Sequence, residues 1–190
     1  MITCYQHAIG NAPASNMVII KHYSLEHKQN SDFFYVRSKE NSHCPYCEGC
    51  FKVIGSRKRI LFMQDDTKIH LIIRRLRCQN CQRISHELPD VVVPYKRYES
   101  DAVASALVTA FPETEDDCPA EYSTISRWKL WFFLLHEYIE SSVRALMELW
   151  HCTAFVMLPL YPLTNQTDGW LKILVRNLVN SGRWRQTRSA

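Results

Sequence analysis

Cys44-Pro-Tyr-Cys47 and, thirty residues further on, Cys78-Gln-Asn-Cys81 are the stretches whose reading decides the fold. A tetrahedral metal site needs four soft ligands, and two short knuckles that each offer two thiolates are a common way to supply them. One such pair is also compatible with a redox motif. Two pairs flanking a β-rich insert predict a zinc ribbon, with Cys44, Cys47, Cys78 and Cys81 holding one structural zinc ion. Cys50 extends the first knuckle to Cys-x-x-Cys-x-x-Cys, and His43 and His86 stand near the two pairs. All three are substitute ligands by type and are expected to be bystanders. Cys4, Cys118 and Cys152 have no partner at ligand spacing and read as small buried residues.

Eight cysteines also raise the alternative of a disulfide scaffold. Such scaffolds are usually short, Cys-dense throughout and exported. The opening Met-Ile-Thr-Cys-Tyr-Gln-His has no basic segment leading into an apolar core, and the longest apolar candidate, 154–163, is broken by Pro159 and Pro162. It falls well short of the roughly twenty residues a membrane span requires. The expectation is a reducing cytoplasm, thiolates on metal, and no membrane association.

Outward from the knuckles, Lys52 to Phe62 reads as a strand, a turn at Gly55-Ser56 and a second strand. Ile69 to Arg77 runs as a strand into the second knuckle, Ile84 to Leu88 returns, and Val91 to Pro94 leaves as an extended link. Before residue 40, Met17-Val-Ile-Ile20 and Phe33-Phe-Tyr-Val36 are short runs of strand character. Helical spacing begins at Ser100 with Val103, Leu107 and Phe111, and Pro112 stops it. A longer helix capped by Ser123 carries Ile125, Trp128, Phe132, Leu135, Ile139, Leu146 and Leu149, with an interruption at Ser142. A second stripe of Trp131, Leu134 and Tyr138 widens its apolar face enough for a buried helix or a dimer seam. Trp170, Ile173, Leu174 and Leu178 mark a last helix, stopped at Asn180-Ser-Gly182.

With 190 residues, 46% hydrophobic and 12% aromatic, the chain is a folded protein too small for two full-sized enzyme domains. The net charge of +4 is modest, but its distribution is not. From Lys52 to Arg97 eleven basic residues face four acidic ones, and from Lys172 onward there are five basic residues and no acid. Glu113, Glu115, Asp116, Asp117 and Glu121 lie between. Two basic blocks divided by an acidic connector suggest a polyanion-binding surface. Ser123-Thr-Ile-Ser-Arg-Trp128 has the form of a recognition-helix start. With Ile125, Trp128 and Phe132 buried, Ser123, Thr124, Ser126 and Arg127 fall on or beside the open face, where hydroxyls meet phosphates and an arginine reaches a base edge.

Taken together, Cys44-Pro-Tyr-Cys47, Ile73-Arg-Arg-Leu-Arg-Cys-Gln-Asn-Cys81, His86-Glu-Leu-Pro-Asp90, Val93-Pro-Tyr-Lys-Arg-Tyr98, Ser123-Thr-Ile-Ser-Arg-Trp128 and Leu178-Val-Asn-Ser-Gly-Arg-Trp184 through Ala190 resemble an uncharacterised bacterial family. That family pairs a zinc ribbon with a helix-turn-helix and is similar to the DNA-binding front end of insertion-sequence transposases. The resemblance spans Cys44 to Ala190 and implies DNA binding in a mobile-element setting, with no activity to carry over.

The expected fold is α+β, a β-rich zinc ribbon followed by an α-helical helix-turn-helix region with a long core helix. Residues 1–40 would be an N-terminal extension, 41–98 the ribbon, and 99–190 the helical region with a basic tail. The expected function is non-catalytic binding of double-stranded DNA, as a transposition accessory factor or transcriptional regulator in the cytoplasm on the nucleoid. Arg57, Lys58, Arg59, Arg74, Arg75, Ser123, Thr124, Ser126, Arg127, Arg183, Arg185 and Arg188 would make the contacts. A homodimer through the aromatic helix and a transposase or recombinase are the expected protein partners. A transposase carboxylate triad is not supported, because Asp65, Asp66, Asp90, Asp116 and Asp117 lie in turns or linkers. Two alternatives remain: a zinc-stabilised protein–protein adaptor, and an HNH-type nuclease using His70 or His86.

Overall fold

The computed structural model describes residues 16–108, 118–149 and 168–185. Among these, six strands precede three helices. The strands are β1 (Met17–Ile20), β2 (Tyr23–His27), β3 (Phe33–Ser38), β4 (Phe51–Phe62), β5 (Lys68–Cys78) and β6 (Ile84–Pro89). The helices are α1 (Ser100–Val108), α2 (Tyr122–Leu149) and α3 (Trp170–Asn180).

The spine of the sheet is β5. One edge pairs antiparallel with β4 from Phe51↔Cys78 to Phe62↔Lys68. The other edge is divided: β3 runs parallel beside residues 70–72, and β6 antiparallel beside residues 75–77. Outside these lie β2, antiparallel to β3, and β1, parallel to β6. The expected turn at Gly55-Ser56 is absent. The chain passes through with a bulge between Val53 and Gly55, where Gly55 takes φ 153, a backbone setting that side chains disfavour. The hairpin reverses instead at Met63–Thr67, where Met63 N–H donates to Thr67 O (2.9 Å), Thr67 N–H to Asp65 Oδ1 (2.9 Å), and Asp66 takes φ 62.

Two findings correct the expected zinc ribbon followed by a helix-turn-helix. First, the strands before residue 40 belong to the same mixed six-stranded sheet, which curves into a half-barrel, so the metal knuckles are a corner of a larger sheet. The parallel pairs β1–β6 and β3–β5 join segments far apart in sequence, and no local pattern announces them. Second, α1, α2 and α3 all pack into the one core shared with that sheet and do not form a separate helical unit after it. The arrangement is a strand-rich α+β fold with its helices mostly C-terminal.

Side-chain alternation puts Ile19, Leu61, Leu71, Ile73 and Leu88 on one face of the sheet. They share a core with Val103 of α1, Ile125, Trp128 and Trp131 of α2, and Leu174 and Leu178 of α3. Ser100 opens α1, but its buried hydroxyl has no hydrogen bond among the described residues. The buried stripe of α2 is Ile125, Trp128, Trp131, Leu135, Ile139, Ser142 and Leu146. Ser142 therefore continues the stripe it was expected to interrupt, and Leu134 and Leu149 are exposed. α3 ends as expected: Gly182 takes φ 71, Arg183 N–H donates to Leu178 O (2.8 Å) and Gly182 N–H to Val179 O (3.0 Å). Asn180 also does something its role as a stop did not suggest. Its amide donates to Ile19 O (2.8 Å) and accepts from Ile19 N–H (2.9 Å), standing in for a strand beside β1. No helix among the described residues is long and apolar enough to cross a membrane.

Candidate metal centre and basic surface

The two knuckles fold alike. In the first, Glu48 N–H donates to Cys44 O (2.8 Å); in the second, Gln82 N–H donates to Cys78 O (3.1 Å). The donor in each is the residue after the second cysteine, and both adopt left-handed backbone, with φ 57 at Glu48 and φ 61 at Gln82. These turns curl the intervening N–H groups toward the sulfurs. Gln79 N–H to Cys50 O (2.9 Å) ties one knuckle to the other. A Cβ at Gly49 would stand 2.8 Å from the Asn80 side chain, so the first knuckle needs glycine to approach the second this closely. The Arg83 guanidinium lies 4.4 Å from the Tyr46 ring centre, closing the corner from outside.

This packing brings the four expected sulfurs together, all within 4.8 Å of one another. Cys44 Sγ is 3.6 Å from Cys81 Sγ, and Cys47 Sγ is 3.4 Å from Cys78 Sγ. Four sulfurs bonded tetrahedrally at about 2.3 Å stand about 3.8 Å apart, whereas a disulfide needs about 2.05 Å. The group can hold one metal ion. Burial pushes the Cys44 thiol up to about 12. Burial also opposes the Cys78 thiolate, but N–H groups of Cys81 and Asn80 and the thiols of Cys47 and Cys81 outweigh it and bring Cys78 down to about 6. A cation bound among the sulfurs would favour their thiolate forms. Cys50 and His43 form an isolated β-bridge and His86 lies on β6; none belongs to the ligand group.

The expected DNA-contacting residues do not form one patch. Cross-strand register puts Arg57, Arg59 and Arg75 on one face of β4–β5 and Lys58 and Arg74 on the other. Arg74 is engaged: it donates from Nε and Nη2 to Glu87 (2.6 and 2.8 Å), a carboxylate that is 1% exposed. Lys58 Nζ sits 4.3 Å over the Phe33 ring. His86, directly across from Arg75, has its pKa lowered by burial and then by Arg57, Arg75 and Arg59. On α2, Ser123 and Arg127 are exposed, and Arg127 folds back to donate from Nε to Ser123 O (3.1 Å); Thr124 and Ser126 are half-buried. Arg185 stacks 3.8 Å from the Tyr138 ring centre, and Tyr138 Oη donates to Arg183 O (2.7 Å). A Cβ at Gly182 would lie 3.3 Å from Pro45 O, so this basic turn rests against the first knuckle. Arg188 and the acidic residues 113–117 lie outside the described residues, as do Cys4 and Cys152. His70, the candidate base of a nuclease, pairs through Nδ1 with Asp32 and stacks on Phe33.

The segment expected as an extended link contributes more than was anticipated. Val93–Lys96 closes a turn, with Lys96 N–H donating to Val93 O (3.0 Å) and Tyr95 at φ 66. Lys96 is 4% exposed, with Nζ 4.4 Å from the Trp131 ring centre. The signal available in the sequence was Pro94 followed by an aromatic residue where such a turn prefers glycine.

A family model described as a domain of unknown function (DUF6431) matches residues 44–128. That span opens on the first of the four clustered cysteines and closes on Trp128, so it takes in both knuckles, β4 to β6, α1 and the first turns of α2. No curated protein and no solved structure shows significant similarity to the chain.

Proposed function

We propose that this protein is a non-catalytic duplex-DNA-binding protein whose four cysteines hold one structural zinc ion. One observation carries the reading. Of the eleven basic residues from Lys52 to Arg97, only Arg74 pairs with a carboxylate among the described residues. Guanidinium and ammonium groups left without acids on a sheet edge suit a ligand that brings its own negative charge. Zinc suits four thiolates at tetrahedral spacing with no open position for a substrate. The contacts come from the β4–β5 face and the turn after α3, not from a recognition helix. The resemblance to transposase front ends supports a mobile-element role, as an accessory factor beside a transposase or recombinase or as a transcriptional regulator on the nucleoid.

The test is fluorescence anisotropy of a labelled duplex across a salt series. The logarithm of affinity should fall by about 0.9 per neutralised phosphate per log unit of salt. Replacing Arg57 and Arg75 by glutamine should weaken binding to every sequence and flatten that slope by about two. A wild-type protein that ignores duplex DNA, or binds it without salt dependence, defeats the reading. A second reading, a protein–protein adaptor or homodimer, is favoured by Leu130, Phe133 and Leu134, which stand exposed on neighbouring turns of α2 with Phe133 at 77%.

A further inference from the structure

Arg59 differs from the other basic residues of the sheet. Its Nη2 donates to Lys96 O (3.2 Å), and its Nε–H is buried without any acceptor among the described residues. No carboxylate pairs with it there. Burial, followed by the neighbouring Arg57 and Arg97 guanidiniums, lowers its pKa. A guanidinium carries five donors and no acceptor, and burying one short of acceptors beside two like charges is costly unless something else satisfies it.

The surroundings of Arg59 are open on one side. Arg57, Arg97 and Tyr95 are all exposed, and the Tyr95 hydroxyl lies within electrostatic reach of Arg59. Tyr95 is also the one aromatic residue among the described residues with positive φ, at 66. Bulky side chains rarely take that backbone, and where they do the strain is often part of a binding site. Here the turn Val93–Lys96 serves two ends at once, since it turns Tyr95 outward and offers Lys96 O to the guanidinium.

We propose that Arg59, flanked by Arg57 and Arg97 and with Tyr95 as a neutral donor, is a seat for one phosphoryl group. The proposal rests on the nucleic-acid reading for its preferred ligand, a backbone phosphate of duplex DNA, and names one position on that surface. The same chemistry fits free phosphate. Planar guanidinium groups match tetrahedral oxyanions by paired N–H donation, and a half-buried anchor with exposed arginines around it binds more tightly than arginines in open water.

The test reads the arginine Nε–H resonances of the ¹⁵N-labelled full chain during separate titrations with inorganic phosphate and with a short duplex. The Arg59 resonance, assigned by its loss in Arg59→Lys, should move downfield and saturate with both. If it stays in place with both, the seat does not exist. In parallel, Arg59→Gln should weaken duplex binding about tenfold and flatten the salt slope by about one. If the duplex binds with a normal salt slope while folded Arg59→Gln matches wild type, the seat is refuted and the nucleic-acid reading stands. If no duplex binds but phosphate saturates the Arg59 resonance, the nucleic-acid reading falls and the seat belongs to a smaller phosphoryl ligand. Because Arg59→Lys and Arg59→Gln both remove this Nε–H, one folded variant of the two is enough to assign the wild-type resonance and read the titrations.

Discussion

Replacing Cys78 by serine should release the metal and loosen one corner of the sheet while leaving the rest folded. Cys78 is wholly buried, its sulfur 3.4 Å from that of Cys47, and it pairs with Phe51 at the open end of the β4–β5 hairpin. A structural zinc site is worth on the order of 10 kcal/mol or more, against a typical domain stability of about 5–15 kcal/mol. Much of that acts on the knuckles themselves, because the far end of the hairpin is anchored independently by Leu61, Leu71 and Ile73 in the core. If a third of the metal's contribution reaches the global fold, roughly 3 kcal/mol, the melting temperature falls by about 6–12 °C for a chain of this size. The assay combines elemental analysis, thermal denaturation and hydrogen exchange. Wild type should carry one zinc per chain. Cys78→Ser should carry none, with lost protection confined to residues 44–53 and 76–83. Purified wild type without zinc, or with two disulfides in its place, refutes the reasoning. So does a Cys78→Ser protein of unchanged metal content and melting temperature.

Glu87→Gln strips the Arg74 guanidinium of its bidentate carboxylate and should cost about 3 kcal/mol, read as a lower urea midpoint at unchanged m-value; a loss under about 0.5 kcal/mol would show the pair to be inert. Lys96 should make stability climb with alkali. Burial lowers its pKa to about 8 from the ordinary 10.5, so between those values unfolding takes up a proton and is increasingly disfavoured as pH rises. Lys96→Met should flatten that climb, and an identical pH slope in the variant would assign it elsewhere. Trp128→Ala opens a cavity under the Tyr98 ring, whose centre lies 5.1 Å away. It should cost roughly 3–5 kcal/mol while zinc stays bound at one per chain; a cost below about 1 kcal/mol would mean α2 is not held through this residue.

What the sequence revealed and what it hid divide by range. The ligand cysteines were legible because Cys-x-x-Cys spacing is itself the geometry of a knuckle. The helix stop at Gly182 was legible because a left-handed position selects glycine within a few residues of the last apolar one. Pairing between distant segments was not. Met17-Val-Ile-Ile20 reads as a strand, but nothing in four apolar residues says that its neighbours are β6 on one side and Asn180 on the other. Gly55-Ser56 reads as a turn because glycine marks both turns and bulges, and only the cross-strand register distinguishes them. The basic residues were legible as a charge excess, yet alternation sends Lys58 and Arg74 to the face opposite Arg57 and Arg59. Pairing with Glu87 then removes Arg74 from the available set. For the helix-turn-helix, residues 123–128 had the right local character, but local character does not reveal that Ile125 and Trp128 pack into the core of the sheet.

The Asn180 bond to Ile19 spans 161 residues, and it has a consequence for how the chain is made. β1 emerges from the ribosome 161 residues ahead of the side chain that finishes its outer edge. At about 5–20 residues per second the delay is roughly 8 to 30 seconds. For that interval four apolar residues destined for complete burial have one unprotected edge, the condition that invites pairing with another chain. Both knuckles are complete by residue 83, so the four cysteines can come together while synthesis continues. Metal supply during translation should therefore govern the yield of the hairpin, and slow or truncated synthesis of α3 should govern aggregation.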